Sequence, residues 1–410
     1  MPLLACVFYR FYTLHAVAVP RIIQYMVKVL FLKRTDVLVV VLLIRIVEPV
    51  DGAILNRNDG RLTSEGLEIV VRGVTSRKYD KVFVNEEEAE VDGDRFTCRI
   101  VLRGLENRIV AFTRGSGCAD VITVLWDKNS IKRYRFSVDD NILFLKDLAL
   151  NSWKYGSIFD NDFLSFWRDV HEKYGTKVQF NIFYQTEGFK LSEMPDKYKS
   201  EWLENRDWLR LTFHALQEKP DLPYRNATYM EMKHDYLLVT REIERFAGRE
   251  LLSNFTTIHW GEAPIEACVA LRNCGIEGLV GYFTWNYRGP SPYETVITDK
   301  PCVSYYLDNE KVKYLSRHDY WKDMKTGIVF IRHDIVINTL ELGEITNHLN
   351  KVAEDPHQSE IIELMIHEQQ FHRSRPEYQP DYEEKVIEAV KWVTDKGYKP
   401  VFYDEGFIGA

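Results

Sequence analysis

The chain is short of cysteine motifs, of positive charge and of long apolar runs. Its six cysteines, Cys6, Cys98, Cys118, Cys268, Cys274 and Cys302, include no CxxC pair. Their spacing suggests neither a zinc knuckle nor a disulfide framework. They read as buried thiols, which fits a reducing compartment. The formal net charge is −8, whereas a nucleic-acid-binding protein would show a basic face. The apolar run Val37 to Ile44 falls short of the roughly 20 residues needed to span a bilayer. No small-residue cleavage site follows it, as a secretory signal would require.

What is present is ordinary for a globular protein, with 45% apolar and 28% charged residues. A chain of 410 residues suggests two domains and a core that needs no staples. Residues 1–43 are apolar but broken by Arg10, Arg21, Lys28, Lys33, Arg34 and Asp36. Two readings stand for them. One is a poorly ordered extension, with Val37 to Val47 opening the first strand; the other is a membrane or export segment.

Residues 44–131 read as all β. Alternating runs recur at Leu67–Arg72, Lys81–Asn85, Phe96–Leu102, Arg108–Phe112 and Val121–Leu125, separated by turn signals such as Asp51-Gly52, Asp59-Gly60 and Asp92-Gly93. Evenly spaced strands of this kind predict a small immunoglobulin-like β-sandwich, although the Cys…Trp…Cys signature of antibody domains is absent. Nothing in it looks catalytic, and a spacer or docking module is expected.

Residues 132–410 change texture to strands alternating with helices, the pattern of a parallel sheet. Strand-like runs fall at Tyr134–Val138, Lys177–Tyr184, Leu209–Phe213, Thr256–His259, Gly278–Phe283, Ile328–Arg332, Ile361–Ile366 and Pro400–Tyr403. Helical stripes fall at Asp162–Tyr174 (Phe163, Phe166, Val170, Tyr174) and at Thr228–Phe246. Pro264 suits the first turn of a further helix, and Tyr382–Lys396 ends at Gly397. The expectation is an α/β barrel of seven or eight strands. A doubly wound open sheet is the rival, but no glycine-rich phosphate loop follows the first strand.

In a parallel barrel the chemistry sits at the C-terminal ends of the strands. Here those ends carry Asp139-Asp140-Asn141, His214, His259-Trp260-Gly261-Glu262, His333-Asp334, His367-Glu368 and Asp404-Glu405. Carboxylates and imidazoles at so many strand ends cost desolvation free energy unless they are paired or bind a metal. Successive strand side chains alternate, so Asp139 and Asp140 cannot both face one way. A bend after them can aim both at one centre, where one holds a metal and the other takes a proton from water. His214 and His259, with a carboxylate nearby, suit zinc and similar ions. Trp260 offers a flat apolar wall for a sugar or acyl group. His367 can act as general acid, and Glu368 can serve instead or orient the imidazole. His234 reads as surface, and His318-Asp319 and His372 fall in loops without assignment. His333-Asp334 stays open between a supporting pair, a ligand pair and a surface ion pair.

Phe136-Ser-Val-Asp-Asp-Asn141 resembles the Thr-Phe-Asp-Asp-Gly motif of the polysaccharide deacetylase superfamily, the family four carbohydrate esterases. Thr212-Phe-His-Ala215, Thr257-Ile-His-Trp-Gly-Glu262 and Leu364-Met-Ile-His367 are similar to its later motifs, in family order over roughly residues 131–407. The resemblance implies Asp139 as catalytic base, Asp140 and His214 as metal ligands and His367 as general acid. Three departures mark a divergent branch. Glu218 stands where the family has a second motif histidine, the motif Arg is absent, and Asn141 replaces Gly. His259 is therefore expected to supply the third protein ligand, with Glu218 or His234 in reserve.

The implied function is a metal-dependent hydrolase, with zinc as the expected ion, that removes an acyl group, most simply N-acetyl, from a carbohydrate. Trp260, Tyr184 and Trp285 are candidates for stacking on sugar rings; for Tyr184 core packing is an equal alternative. One rival is a glycoside hydrolase using two of Asp139, Glu262, Glu368 and Asp404 without metal. The other is a carbohydrate-binding protein without turnover. The resemblance suggests envelope or secreted work, and the lack of a clean signal leans toward the cytoplasm.

Overall fold

The structure is a computed structural model and describes residues 44–76, 81–113, 119–283, 305–406 and 408. The segment 1–43 and Trp285 lie outside the described residues. The described residues divide into two compact units: those within 44–48, 71–98 and 110–121 form one; those within 49–70, 99–109 and 122–408 form the other.

The first unit is all β where it is described. Ile44–Glu48 pairs antiparallel with the end of Leu67–Thr75, Val82–Val84 with the end of Glu106–Thr113, and Glu90–Asp92 with the start of Arg95–Leu102. The longer strands bury alternate residues, the period-two pattern that specifies a half-buried sheet.

The second unit carries a strand at six of the eight runs, β1 (Arg133–Asn141), β2 (Val178–Phe183), β3 (Leu209–Ala215), β5 (Gly278–Gly281), β7 (Val329–Arg332) and β9 (Ile361–His367), while β4 (Phe255–Thr256) and β10 (Lys399–Pro400) share only Thr256 and Pro400 with the expected Thr256–His259 and Pro400–Tyr403. Four short strands were not expected: β6 (Tyr320–Lys322), β8 (Ile335–Val336) and the antiparallel pair Gln185–Thr186 and Phe189–Lys190. Among the described residues the strands do not join in one continuous hydrogen-bonded ring. The strands form a six-stranded sheet in the order β3-β2-β1-β9-β8, with β10 pairing β1, and a four-stranded sheet in the order β4-β5-β7-β6. The second sheet is mixed because β6 runs antiparallel to β7. At the first seam Ser253 N–H donates to the Leu211 carbonyl at 3.0 Å, and in the link from β7 to β8 Asp334 N–H donates to the Glu363 carbonyl at 3.0 Å, beside the β8–β9 pairing. The residue count explains the gap at the first seam, since β4 has only two residues to offer.

Alternation along the long strands separates two environments. Tyr134, Phe136 and Val138 of β1, Val178, Phe180 and Ile182 of β2, Leu209, Leu211 and Phe213 of β3, and Ile362, Leu364 and Ile366 of β9 join one apolar core with the helices. Their alternates include Arg135, Asp139, Gln179, Asn181, His214, Glu363 and His367, all buried. One face of this sheet is therefore an apolar core and the other carries buried polar groups.

The helices that cover the apolar face are α1 (Leu143–Leu150), α2 (Asp162–Tyr174), α3 (Tyr229–Phe246), α4 (Ile265–Asn273), α5 (Leu342–Glu354) and α6 (Tyr382–Asp395). Helix α2 starts on Asn161, whose side chain accepts from Leu164 N–H, and stops at Gly175 with φ 70°. Its buried stripe is Phe163, Leu164, Trp167 and Val170, one step round from the expected Phe166 and Tyr174. Helix α3 starts on a Thr228–Glu231 capping box and buries Met232, Tyr236, Val239, Ile243 and Phe246, as its periodicity predicts. Cys98 and Cys268 are buried. Among the described residues no helix is long and apolar enough to cross a membrane.

Candidate metal and catalytic site

The parallel pairing of β1 with β9 places Asp139 directly opposite His367 at the ends of both strands. Asp140 would by alternation turn away. Instead it adopts φ 63°, and the pairing of β1 with β2 shifts register between Val138 and Asn141. This single left-handed residue sends the second carboxylate to the same end of the sheet as the first. Left-handed backbone at a non-glycine residue costs roughly 1–2 kcal/mol, although Asp tolerates it better than most. Trp260, in the turn that carries His259, also has positive φ, at 69°. Both residues line one cavity of about 210 Å³, together with Asp139, His214, His259, His333 and His367.

Asp140, His214 and His259 converge. Asp140 Oδ1 lies 2.9 Å from His214 Nε2 and 3.0 Å from His259 Nδ1, and the two imidazole nitrogens are 3.2 Å apart. The other nitrogen of each ring faces a backbone carbonyl: His214 Nδ1 that of Thr257 at 2.5 Å, His259 Nε2 that of Glu218 at 3.0 Å. A carbonyl only accepts, so those outer nitrogens carry the protons and neutral rings would turn lone pairs toward the carboxylate. Two lone pairs and a carboxylate oxygen at these distances require positive charge among them, as a proton or a cation.

The titration directions show the same demand. Burial acts to raise the Asp140 carboxyl, but His259 and His214 override it and hold it well below the usual carboxylate range. Burial acts to lower the His214 imidazole, but Asp139 and Asp140 raise it above its ordinary value.

The donor set fits a divalent ion. Ligands about 2.0–2.1 Å from a tetrahedral zinc stand roughly 3.3 Å apart, close to the edges found here. Orientation of the ligand rings by carbonyls on their far side is a common feature of histidine metal sites. Asp140 Oδ2 accepts from Gln369 Nε2 at 2.6 Å, which fixes the carboxylate plane.

The other candidates divide. Asp139 accepts a hydrogen bond from Asn181 Nδ2 and lines the cavity. His367 Nδ1 lies 2.9 Å from Asn338 Oδ1, and burial draws its imidazole below the ordinary value. Trp260 lines the cavity, whereas Tyr184 is packed against the apolar core and does not line it. Glu218 reaches the cavity, but its carboxylate is bound by Arg375 at 3.1 Å. His234 is exposed and paired with Asp235, away from the centre. Among the carboxylates suggested for a two-acid mechanism, Glu262, Glu368 and Asp404 do not line the cavity. Glu262 is held by Arg225 at 2.6 Å, and Glu368 caps a helix, accepting from the backbone of Ile142, Leu143 and Phe144 at 2.6–2.9 Å.

Asn181, Asn338 and Gln369 escaped the sequence reading because each lies off the strand-end Asp/His pattern. The alternation in Val178-Gln-Phe-Asn-Ile182 held a signal for Asn181, since a polar residue in phase with Asp139 shares its face. His333 separates from its neighbour. Asp334 turns toward Arg332 and the Glu363 N–H. The His333 ring lines the cavity, 1% exposed, with neither nitrogen hydrogen-bonded.

No family model matches the chain, and no curated protein matches it. Solved structures similar to it include a CE4 family pseudoenzyme from Bacillus anthracis, with 11% identity over 67% of this chain and 64% of that one, TM-score 0.28. The chain spans a little under two thirds of that protein's length. A Streptococcus mutans CE4 esterase shares 11% identity over 67% of this chain and 86% of its own, TM-score 0.34. The 4-alpha-glucanotransferase of Thermococcus litoralis shares 14% over 67% and 40%, TM-score 0.39.

Proposed function

We propose that this protein is a metal-dependent hydrolase that removes an acyl group, N-acetyl first among them, from a carbohydrate. The observation that carries the reading is the convergence of Asp140, His214 and His259, with ligand atoms within 4.8 Å of one another, in a cavity that also holds Asp139 and His367. These three side chains would hold a divalent ion, with zinc best suited to two imidazoles and one carboxylate. Such an ion supplies positive charge that polarises an acyl oxygen and makes water more acidic.

The chain's own residues supply the proton transfers. Asp139, steadied by Asn181, takes the proton from the attacking water. His367, oriented by Asn338, delivers a proton to the leaving nitrogen from the neighbouring strand end. Trp260 forms an apolar wall for the sugar ring. The cavity is smaller than the roughly 300–1,000 Å³ typical of small-molecule pockets, a size suited to an acyl group and the ring that bears it. The reading extends to a barrel-type architecture for the α/β part and an immunoglobulin-like sandwich, serving as spacer or docking module, for residues 44–131.

The test is to measure bound metal and acetate release from N-acetylated oligosaccharides for the wild type, Asp140→Ala and Asp139→Asn. Asp140→Ala is expected to lose metal and activity together. Asp139→Asn is expected to keep metal and lose about 10²–10⁴-fold in rate, the usual range for a general base. Full activity in protein stripped of metal, or in Asp140→Ala, would sink the proposal.

A further inference from the structure

A second cluster of ligand-type side chains lies outside this cavity and is used by nothing above. Asp59, His318 and His357 each offer one ligand atom, all within 4.8 Å of one another. We propose that these three residues form a second divalent metal site, for a zinc-like transition ion.

Each residue is held in advance. Asp59 sits in the Asn56–Gly60 turn, its Oδ2 accepting from Asn56 N–H at 2.7 Å. That leaves Oδ1 to face His357 Nδ1, at 2.5 Å. His318 donates Nδ1–H to the Tyr314 carbonyl at 2.9 Å, and its ring stacks on Tyr314 with centroids 3.8 Å apart at 9°. That bond fixes the tautomer, so Nε2 is the nitrogen with the lone pair. The rings of His318 and His357 are 4.8 Å apart.

The surrounding backbone is also tied. His357 N–H donates to Asp355 Oδ1 at 2.9 Å. The turn that carries Asp59 is fastened to the loop that carries His357 by Arg57 with Glu360 at 3.2 Å and by Asn58 Nδ2 with Ser359 Oγ at 3.4 Å. The Asp59 side chain is 7% exposed and that of His357 43%, so the carboxylate is sheltered while one edge of the cluster meets solvent. Two imidazoles and a carboxylate with an open side are the donor set and access a borderline cation needs. The bland alternative is an Asp–His hydrogen bond beside a stacked ring. It gives no reason for two histidines from separate loops to face one carboxylate.

The experiment uses the full-length protein, stripped with chelator and re-equilibrated with zinc alone, with bound metal counted and thermal unfolding followed. The wild type is expected to hold about two equivalents and Asp140→Ala about one. Adding His318→Gln and His357→Gln to Asp140→Ala is expected to leave none and to abolish the zinc-induced rise in Tm. Asp59→Asn in the same background provides a milder variant should the double change fail to fold. If Asp140→Ala holds the same metal with and without these changes, or binds it only at millimolar zinc, the second site is overturned. Failure of the catalytic reading looks different: the wild type then holds about one equivalent, removed by His357→Gln and untouched by Asp140→Ala.

Discussion

His333 is a buried imidazole whose two nitrogens have no hydrogen-bond partner. Burial pushes its pKa down from 6.5 to about 4, against the opposing pull of Asp139. Between those two values the unfolded chain takes up a proton that the folded chain refuses. Stability therefore rises with pH across this window and is lost as pH falls from 6.5 toward 4. A displacement of about 2.5 units corresponds to roughly 3 kcal/mol. His333→Gln is expected to flatten the slope of unfolding free energy between pH 6.5 and 4.5, read by urea denaturation of both proteins. An unchanged slope would show that this ring is protonated in the folded state. The same residue marks a limit of the sequence. His333-Asp334 was visible as a chemically interesting pair, but its split into a cavity-lining ring and a carboxylate turned toward Arg332 depends on where β7 ends. By contrast Asp139, Asp140, His214, His259 and His367 were legible from strand-end position, and all five line one cavity. What joins them is the positive φ of Asp140, and no residue pattern announces that for an aspartate.

At the scale of elements, helix α1 is the instructive case. Its N-cap position is Ile142, which makes no side-chain cap bond, and its first turn has no acidic residue. Glu368, more than 220 residues away in sequence, fills that role. Its carboxylate, 0% exposed, accepts from three of the N–H groups a helix start leaves unpaired, and it also meets His372 Nε2 at 2.9 Å. The negative charge at a helix N-terminus adds favourable electrostatics. It also clamps the segment after Asp140 to the segment after His367, so the two strand ends that carry the catalytic candidates are locked together. Glu368→Ala leaves those donors buried and unpaired, and is expected to cost about 3 kcal/mol of stability. Urea unfolding would measure it, and a loss below about 1 kcal/mol would show that water or another group replaces the cap. Helices with local signals, such as the Thr228 box of α3, could be placed from sequence because cause and effect are adjacent. Helix α1 could not, because its cap comes from the other end of the α/β region.

At the scale of the whole molecule, the question is what the α/β part needs in order to stand. The change in texture after Lys132 is real in secondary structure, since β-only pairing gives way to strands alternating with helices. The compact unit that contains the site nevertheless takes in Pro49–Val70, Arg99–Ile109 and the chain from Ile122. The contacts explain why. Ile54 and Leu125 are buried in one cluster with Phe255, Val280, Tyr320 and Ile361. Arg133, 1% exposed, is paired with Asp127 at 3.0 Å, and Trp321 Nε1 donates to the Asp51 carbonyl at 2.6 Å. Local sequence texture cannot report the Ile54 cluster or the Trp321 bond, because they join segments that are far apart along the chain. A fragment beginning at Lys132 would expose the apolar partners of Ile54 and Leu125, at about 1.5–3 kcal/mol for each lost side chain. It would also leave Arg133 buried without its carboxylate, a loss of roughly 3–5 kcal/mol for a broken buried pair. Together these approach the 5–15 kcal/mol that holds a typical domain folded. The fragment 132–410 is therefore expected to be unfolded or aggregated, and a chain starting at Ile44 to be soluble with cooperative unfolding. Circular dichroism and gel filtration of the two would decide it. A monomeric, cooperatively folded 132–410 fragment with metal bound would show that the α/β part stands alone and that these contacts only decorate it.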